Sequence, residues 1–190
     1  MSKGSKVFLV VLGILVLLGV VGCNFISGNY NSMVSMEETV KSQWAQVENQ
    51  YQRRLDLIPN LVATVKGYAS HESEVFTQIA DARSKAGGVM QLSADMLEDP
   101  EALARFQEVQ SSLGGALQRL LSITENYPEL KADQQFLALQ DQLEGTENRI
   151  SVERKRYNDA VLEYNKYIRN FPRVFIANLM GFREKAYFQA

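Results

Sequence analysis

Apolar positions dominate the start of this chain and then settle into a helical rhythm. Residues 7–22 carry no polar side chain, and Cys23, Asn24, Phe25 and Ile26 extend the stretch to about 20 residues. A helix of that length is roughly 30 Å long, the thickness of one bilayer core. Gly28-Asn29-Tyr30-Asn31-Ser32 then reads as a short polar joint, too short for a flexible tether. From Met33 onward Val40, Trp44, Val47, Tyr51, Leu55, Ile58, Leu61, Val65 and Tyr68 recur at threes and fours, and Phe76 and Ile79 continue the series. The spacing predicts one rod over residues 33–86, on the order of 80 Å long, kinked at Pro59 and stopped by Gly87-Gly88.

Residues 87–99 read as a connection, with Gly87, Gly88, Ser93 and Asp95 breaking the pattern. Asp99-Pro100-Glu101 is a helix start: a capping carboxylate, proline at the first position, then an acid in the first turn. Leu103, Phe106, Val109, Leu113, Leu117, Leu120 and Thr124 form its stripe, and Pro128 ends it. Gly114-Gly115 within it asks for close packing by another helix. The last long helix runs from about Pro128 to Asn170 on Phe136, Leu139, Leu143, Ile150, Tyr157, Val161, Tyr164, Ile168 and Phe171. After Phe171-Pro172 a short amphipathic tail mixes Val174, Phe175, Leu179, Met180, Phe182 and Phe188 with Arg173, Arg183 and Lys185. Its first reading is packing over the open end of a bundle, then a subunit contact, then a membrane interface. No strand-like alternation occurs. The expected fold is therefore all-α: an N-terminal transmembrane helix, then an elongated antiparallel bundle of three long helices plus a short C-terminal helix. Three segments follow: a cytoplasmic N-terminus over 1–6, a transmembrane helix or lipoprotein signal segment over 7–26, and a helical domain over 27–190.

Charge refines the anchor. Lys3 and Lys6 precede the apolar stretch and the first basic residue after it is Lys41, which places the N-terminus in the cytoplasm and the main domain on the outer side. Val20-Val21-Gly22-Cys23 also resembles a lipobox, in which the chain is cut before Cys23 and that cysteine is lipidated. Both readings put the domain on membrane lipid. A net charge of −2 offers no concentrated basic face for nucleic acid. One cysteine and one histidine exclude an internal disulfide and argue against zinc.

The richest chemistry lies in Arg53-Arg54-Leu55-Asp56-Leu57-Ile58-Pro59-Asn60. Pro59 cannot donate to the carbonyl of Leu55, and Asp56 and Asn60 are the candidates to satisfy the freed groups. Arg53 or Arg54 can neutralise Asp56, and Thr146, Glu147, Asn148 and Arg149 on the last helix can complete a network. Buried and unpaired, such an Arg or Asp would cost several kcal/mol, so partners are required. These nine residues, Pro59 included, read as a structural or interface network, with Arg53 the one suited to contact between copies. Glu144 and Glu147 lie one turn apart, but di-metal bundles need Glu-x-x-His, and His71 has Tyr68 where the glutamate belongs. No metal, cofactor or catalytic residue is expected, and no phosphate loop or nucleophile elbow occurs. Arg149, Arg154, Lys155 and Arg156 read as a solvated basic face.

Trp44, Arg53-Arg54-x-Asp56-Leu57-Ile58-Pro59-Asn60-Leu61-Val62, Val65-Lys66-Gly67-Tyr68 and His71-Glu72 together resemble the LemA family of bacterial membrane proteins. Tyr127-Pro128-Glu129-Leu130, Thr146-Glu147-Asn148-Arg149-Ile150, Tyr157-Asn158, Tyr164-Asn165, Phe171-Pro172 and Gly181-Phe182 extend the resemblance over roughly residues 29–188. The resemblance implies a membrane-anchored helical domain with no established enzymatic activity. It also implies candidate partners, because some members are encoded beside membrane metallopeptidases or TPM-domain proteins. The expected function is a non-enzymatic scaffold or partner-recruiting protein of the bacterial envelope that forms a homo-oligomer. Two other readings stand beside it: a sensor hinged at Pro59, and an enzyme built on the Asp56/Glu147 cluster.

Overall fold

The computed structural model describes residues 3–90 and 94–189. Met1 and Ser2 of the N-terminal segment and Ser93 of the predicted connection lie outside the described residues. Six α-helices and no strand occur among the described residues: α1 (Lys3–Tyr68), α2 (Ser73–Val89), α3 (Pro100–Thr124), α4 (Pro128–Lys131), α5 (Gln134–Arg169) and α6 (Arg173–Met180). A 3-10 turn, Ala94–Glu98, precedes α3.

The first helix carries the architecture. α1 is 66 residues long, roughly 100 Å at 1.5 Å per residue, and its large apolar side chains from Val7 to Ile26 stand exposed. The joint expected over 28–32 is helical instead. Its polar side chains turn inward on their own backbone. Asn29 Nδ2 donates to the Phe25 carbonyl at 2.7 Å and Ser32 Oγ to the Gly28 carbonyl at 3.0 Å. Such back-bonding lets small polar residues continue a helix instead of breaking it.

At its far end the predicted rod is corrected. The chain leaves α1 at Tyr68, turns through Ala69–Glu72, and returns as α2. Phe76 and Ile79 keep the apolar rhythm because the returning helix presents its own buried stripe, so one periodicity spans two elements. Gly87-Gly88 lies within the last turn of α2. The last helix is also shorter than expected. Pro128–Lys131 forms a separate turn, and α5 starts only where Asp133 accepts the Phe136 amide at 2.8 Å.

α5 lies antiparallel to α1: Tyr167 meets Asn29, Glu147 meets Arg54, and Asp133 meets Tyr68. α3 and α2 likewise run antiparallel, with Arg119 beside Gln78 and Tyr127 beside Glu72. Two apolar cores result. The one nearer the exposed span is built on Trp44, Tyr51, Phe106, Tyr157, Tyr164 and Phe188. The distal one is built on Ile58, Leu61, Ile79, Leu113, Leu120 and Phe136. Phe171, expected to close the α5 stripe, is 80% exposed in the turn between α5 and α6.

After α6 the chain becomes a strap. Gly181, at φ +80°, ends the helix in the left-handed conformation that glycine adopts without penalty, and Phe182 N–H returns to the Ala177 carbonyl at 3.0 Å. Residues 182–189 then climb alongside α1 and α5, from Tyr30 at Phe182 to Trp44 at Phe188.

Candidate functional site

Between the two cores lies a layer of buried polar groups. Arg54 is on the inward face of α1 and its side chain is 4% exposed. Its Nη1 donates to both carboxylate oxygens of Glu147, at 3.0 and 3.3 Å, and its Nη2 donates to the backbone carbonyl of Gln110 at 3.0 Å. The Gln110 side-chain oxygen accepts from the same nitrogen. The guanidinium also sits 5.1 Å from the centre of the Tyr51 ring. Its planar fork fits this role, since it can divide donors between a carboxylate and an amide with little reorganisation. Gly114 on α3 passes beside it: a Cβ there would stand 4.0 Å from Nη1. Burial raises the Tyr51 phenol above its ordinary pKa.

The other predicted network residues are divided between two faces. Arg53 is exposed and lines a shallow concavity of about 230 Å³ with Asp141, Thr146 and Arg149. Thr146 is buried and donates to the Gln142 carbonyl at 2.7 Å. Asn148 and Asn60 are exposed. Asp56, two residues past Arg54, leaves the helix about 200° further round. It accepts from Gln52 Nε2 at 2.8 Å and does not meet Arg54.

The carbonyl freed by Pro59 is satisfied from elsewhere. α1 passes through Pro59 unbroken, and Arg83 Nε on α2 donates to the Leu55 carbonyl at 3.1 Å. That duty was expected of Asp56 and Asn60; both point outward, while the hairpin brings Arg83 to the gap. The sequence pattern also places Val109 in the α3 stripe, whereas the structure buries Gln110 there. The spacing Phe106, Gln110, Leu113 was the available signal: a glutamine in an apolar register.

A cleft of about 660 Å³ opens beside the Arg54 layer, with Tyr51, Gly114, Glu147, Arg154 and Gln189 on its walls. Glu147 is 44% exposed there, so the layer has one wet side. Asp56 is not part of the cleft. His71 is exposed in the α1–α2 turn. Among the described residues no three His, Cys, Asp or Glu side chains gather as a metal site.

The strap is held by side-chain amides that imitate a strand partner. Asn165 brackets Lys185, donating to its carbonyl and accepting its N–H, both at 2.9 Å. Asn158 does the same for Phe188 at 3.0 and 2.9 Å. Tyr157 donates to the Ala186 carbonyl at 3.0 Å, and the Lys185 ammonium, 4% exposed, bridges Glu37 at 2.7 Å and Glu98 at 2.6 Å. Phe188 thereby enters the cluster of Trp44, Phe106 and Tyr157, and Arg154 covers its ring at 4.7 Å.

Comparison with known proteins fits this picture. Magnetosome protein MamQ 2 of Paramagnetospirillum magneticum is 28% identical over 84% of this chain and 64% of its own length. MamQ of Magnetospirillum gryphiswaldense gives the same identity and shares. Protein LemA of Metamycoplasma hominis is 20% identical over 98% of this chain and 80% of its own length. The chain thus spans somewhat under two thirds of the magnetosome relatives. Residues 43–190, which contain the Arg54 layer, the α1–α2 hairpin and the strap, match the model of the LemA family, and the chain belongs to that family.

Proposed function

We propose that this protein is a non-catalytic, membrane-anchored scaffold that presents a rigid helical bundle for recruiting partners and for association with its own copies. The observation that carries this reading is α1: one helix runs from an exposed apolar span, long enough to cross a bilayer, directly into the cores of the bundle. A continuous helix joins the bundle to the span without a flexible tether, as a scaffold requires. The arrangement of charge supports the same reading. Arg54 and Lys185, the buried cations, are occupied by partners within the fold, and Asp56 and Glu147 form no paired acid–base site.

In this reading the N-terminus is cytoplasmic, the bundle lies outside, and Cys23, exposed on α1, is the alternative point of lipid attachment. The Arg53–Arg149 concavity is the contact between copies, and a membrane metallopeptidase or TPM-domain protein is the candidate partner. Light scattering on the detergent-solubilised full chain tests self-association. The expected result is a discrete multiple of the protomer mass, reduced to one protomer by Arg53→Glu with Arg149→Glu at an unchanged melting temperature. A monomer at every concentration would overturn the self-assembling scaffold.

A further inference from the structure

The foot of the bundle carries an apolar stripe that none of the described residues covers. α5 runs antiparallel to α1 and returns to the level of Asn29, where Tyr167 Oη donates to Asn29 Oδ1 at 3.1 Å. The turn into α6 therefore lies at the end of the bundle beside the exposed span. Ile26 is three residues from Asn29, roughly 5 Å along the helix.

α6 crosses α1 there. At its start Arg173 Nε donates to Asn29 Oδ1 at 3.0 Å, and just past its end the Phe182 ring packs 5.6 Å from Tyr30. Both ends thus meet neighbouring residues of α1, although α6 is about 12 Å long. A helix running along α1 would meet residues about eight positions apart. Ile176 and Ala177 face the bundle and are buried. Phe171, Phe175 and Leu179, spaced by four, face away and are 80%, 65% and 80% exposed. Arg169 and Arg183 stand exposed on either side.

We propose that α6 is a second membrane contact: it lies in the plane of the bilayer with Phe171, Phe175 and Leu179 among the acyl chains and the flanking arginines at the headgroups. Its place, flush with the end of the apolar span, brings the stripe to the lipid surface without any movement of the fold. Its composition is that of interfacial helices, apolar on one face with arginine at the edges. Three side chains make a smaller surface than a stable protein interface, which needs about 800 Å² per partner. The consequence is orientational. A single span leaves the bundle free to turn about α1 and to tilt, whereas a foot set to one side fixes both.

The proposal rests on residues 7–26 being a membrane span, so the test reports on span and foot separately. Full-length chain carrying Cys23→Ser receives one cysteine at a time, Ile14→Cys, Phe175→Cys, Leu179→Cys or Val152→Cys, and a fluorescent label after reconstitution into anionic vesicles. Quenching by lipid-borne nitroxide is compared with quenching by aqueous iodide, and circular dichroism checks that each variant is folded. The expected result is that labels at 175 and 179 respond to the lipid quencher, as at 14, while 152 responds to iodide. Iodide quenching at 175 and 179 with lipid quenching at 14 would overturn the foot and leave the span. Protection from both quenchers at 175 and 179 would mean that protein covers the stripe, which also overturns it. Absence of lipid quenching at 14 would refute the span, and the foot with it.

Discussion

Arg54 shows how one residue joins two cores. Its donors reach α5 through Glu147 and α3 through Gln110, so three helices depend on a single guanidinium. The two ends of the ion pair are unequal. Arg54 is sealed in, and removing it strands the Gln110 groups and opens a gap; Glu147 is nearly half exposed and can be replaced by water. Arg54→Met is expected to cost roughly 2–4 kcal/mol, and Glu147→Gln about 1 kcal/mol or less, read from chemical denaturation in detergent. Equal losses would mean that the carboxylate is as dry as the guanidinium. Arg54 and Glu147 stood among the network candidates in the sequence, but there the arginine was matched to Asp56, which the helix turns to the other side. Gln110 and Arg83 were not among those candidates. Each partners a group about thirty or more positions away in the chain, and only the α1–α2 reversal and the parallel setting of α3 against α1 bring them in.

At the scale of elements, stripes and caps were readable, whereas chain reversals were less so. Asp99 and Pro100 marked the start of α3, where the Asp99 carboxylate accepts the Glu101 amide at 2.9 Å. The α1–α2 turn contains no proline and its helices share one rhythm, so Lys66 and Gly67 in the last turn of α1 were a weak local sign of it. The strap was legible only as a tail rich in aromatics and arginine. Its path is set by Asn158 and Asn165, whose amides replace a neighbouring strand, and by Tyr157, whose hydroxyl holds the Ala186 carbonyl. Burial raises the phenols of Tyr157 and Tyr164 well above their ordinary pKa. Because the fold disfavours the phenolate, their contribution is fully present below about pH 10, the unfolded value, and is lost as the pH rises towards the folded one. Thermal melts are therefore expected to hold steady from about pH 8 to about pH 10 and fall above it, less steeply in Tyr157→Phe. An alkaline decline of the same steepness in that variant would remove Tyr157 from the explanation.

For the whole molecule, the sequence pointed to a membrane-anchored all-helical chain. It misplaced one division: a joint was expected at 28–32, where α1 is helical, and of the kink or short break expected at Pro59 the break does not occur. The reasons are physical. Asn29 and Ser32 satisfy themselves on the preceding turn, and Arg83 supplies the hydrogen bond that proline cannot. Continuity of α1 is what distinguishes a scaffold from a hinged sensor, so its length is the quantity to measure. Spin labels on Asn24→Cys and Ala63→Cys, in a Cys23→Ser background and in lipid nanodiscs, bracket both positions. The expected result is one narrow distance distribution centred at roughly 60 Å, the length of an unbroken helix between them. A shorter or broad distribution, or two resolved populations, would contradict the rigid mast and favour a chain that bends at the membrane or at Pro59.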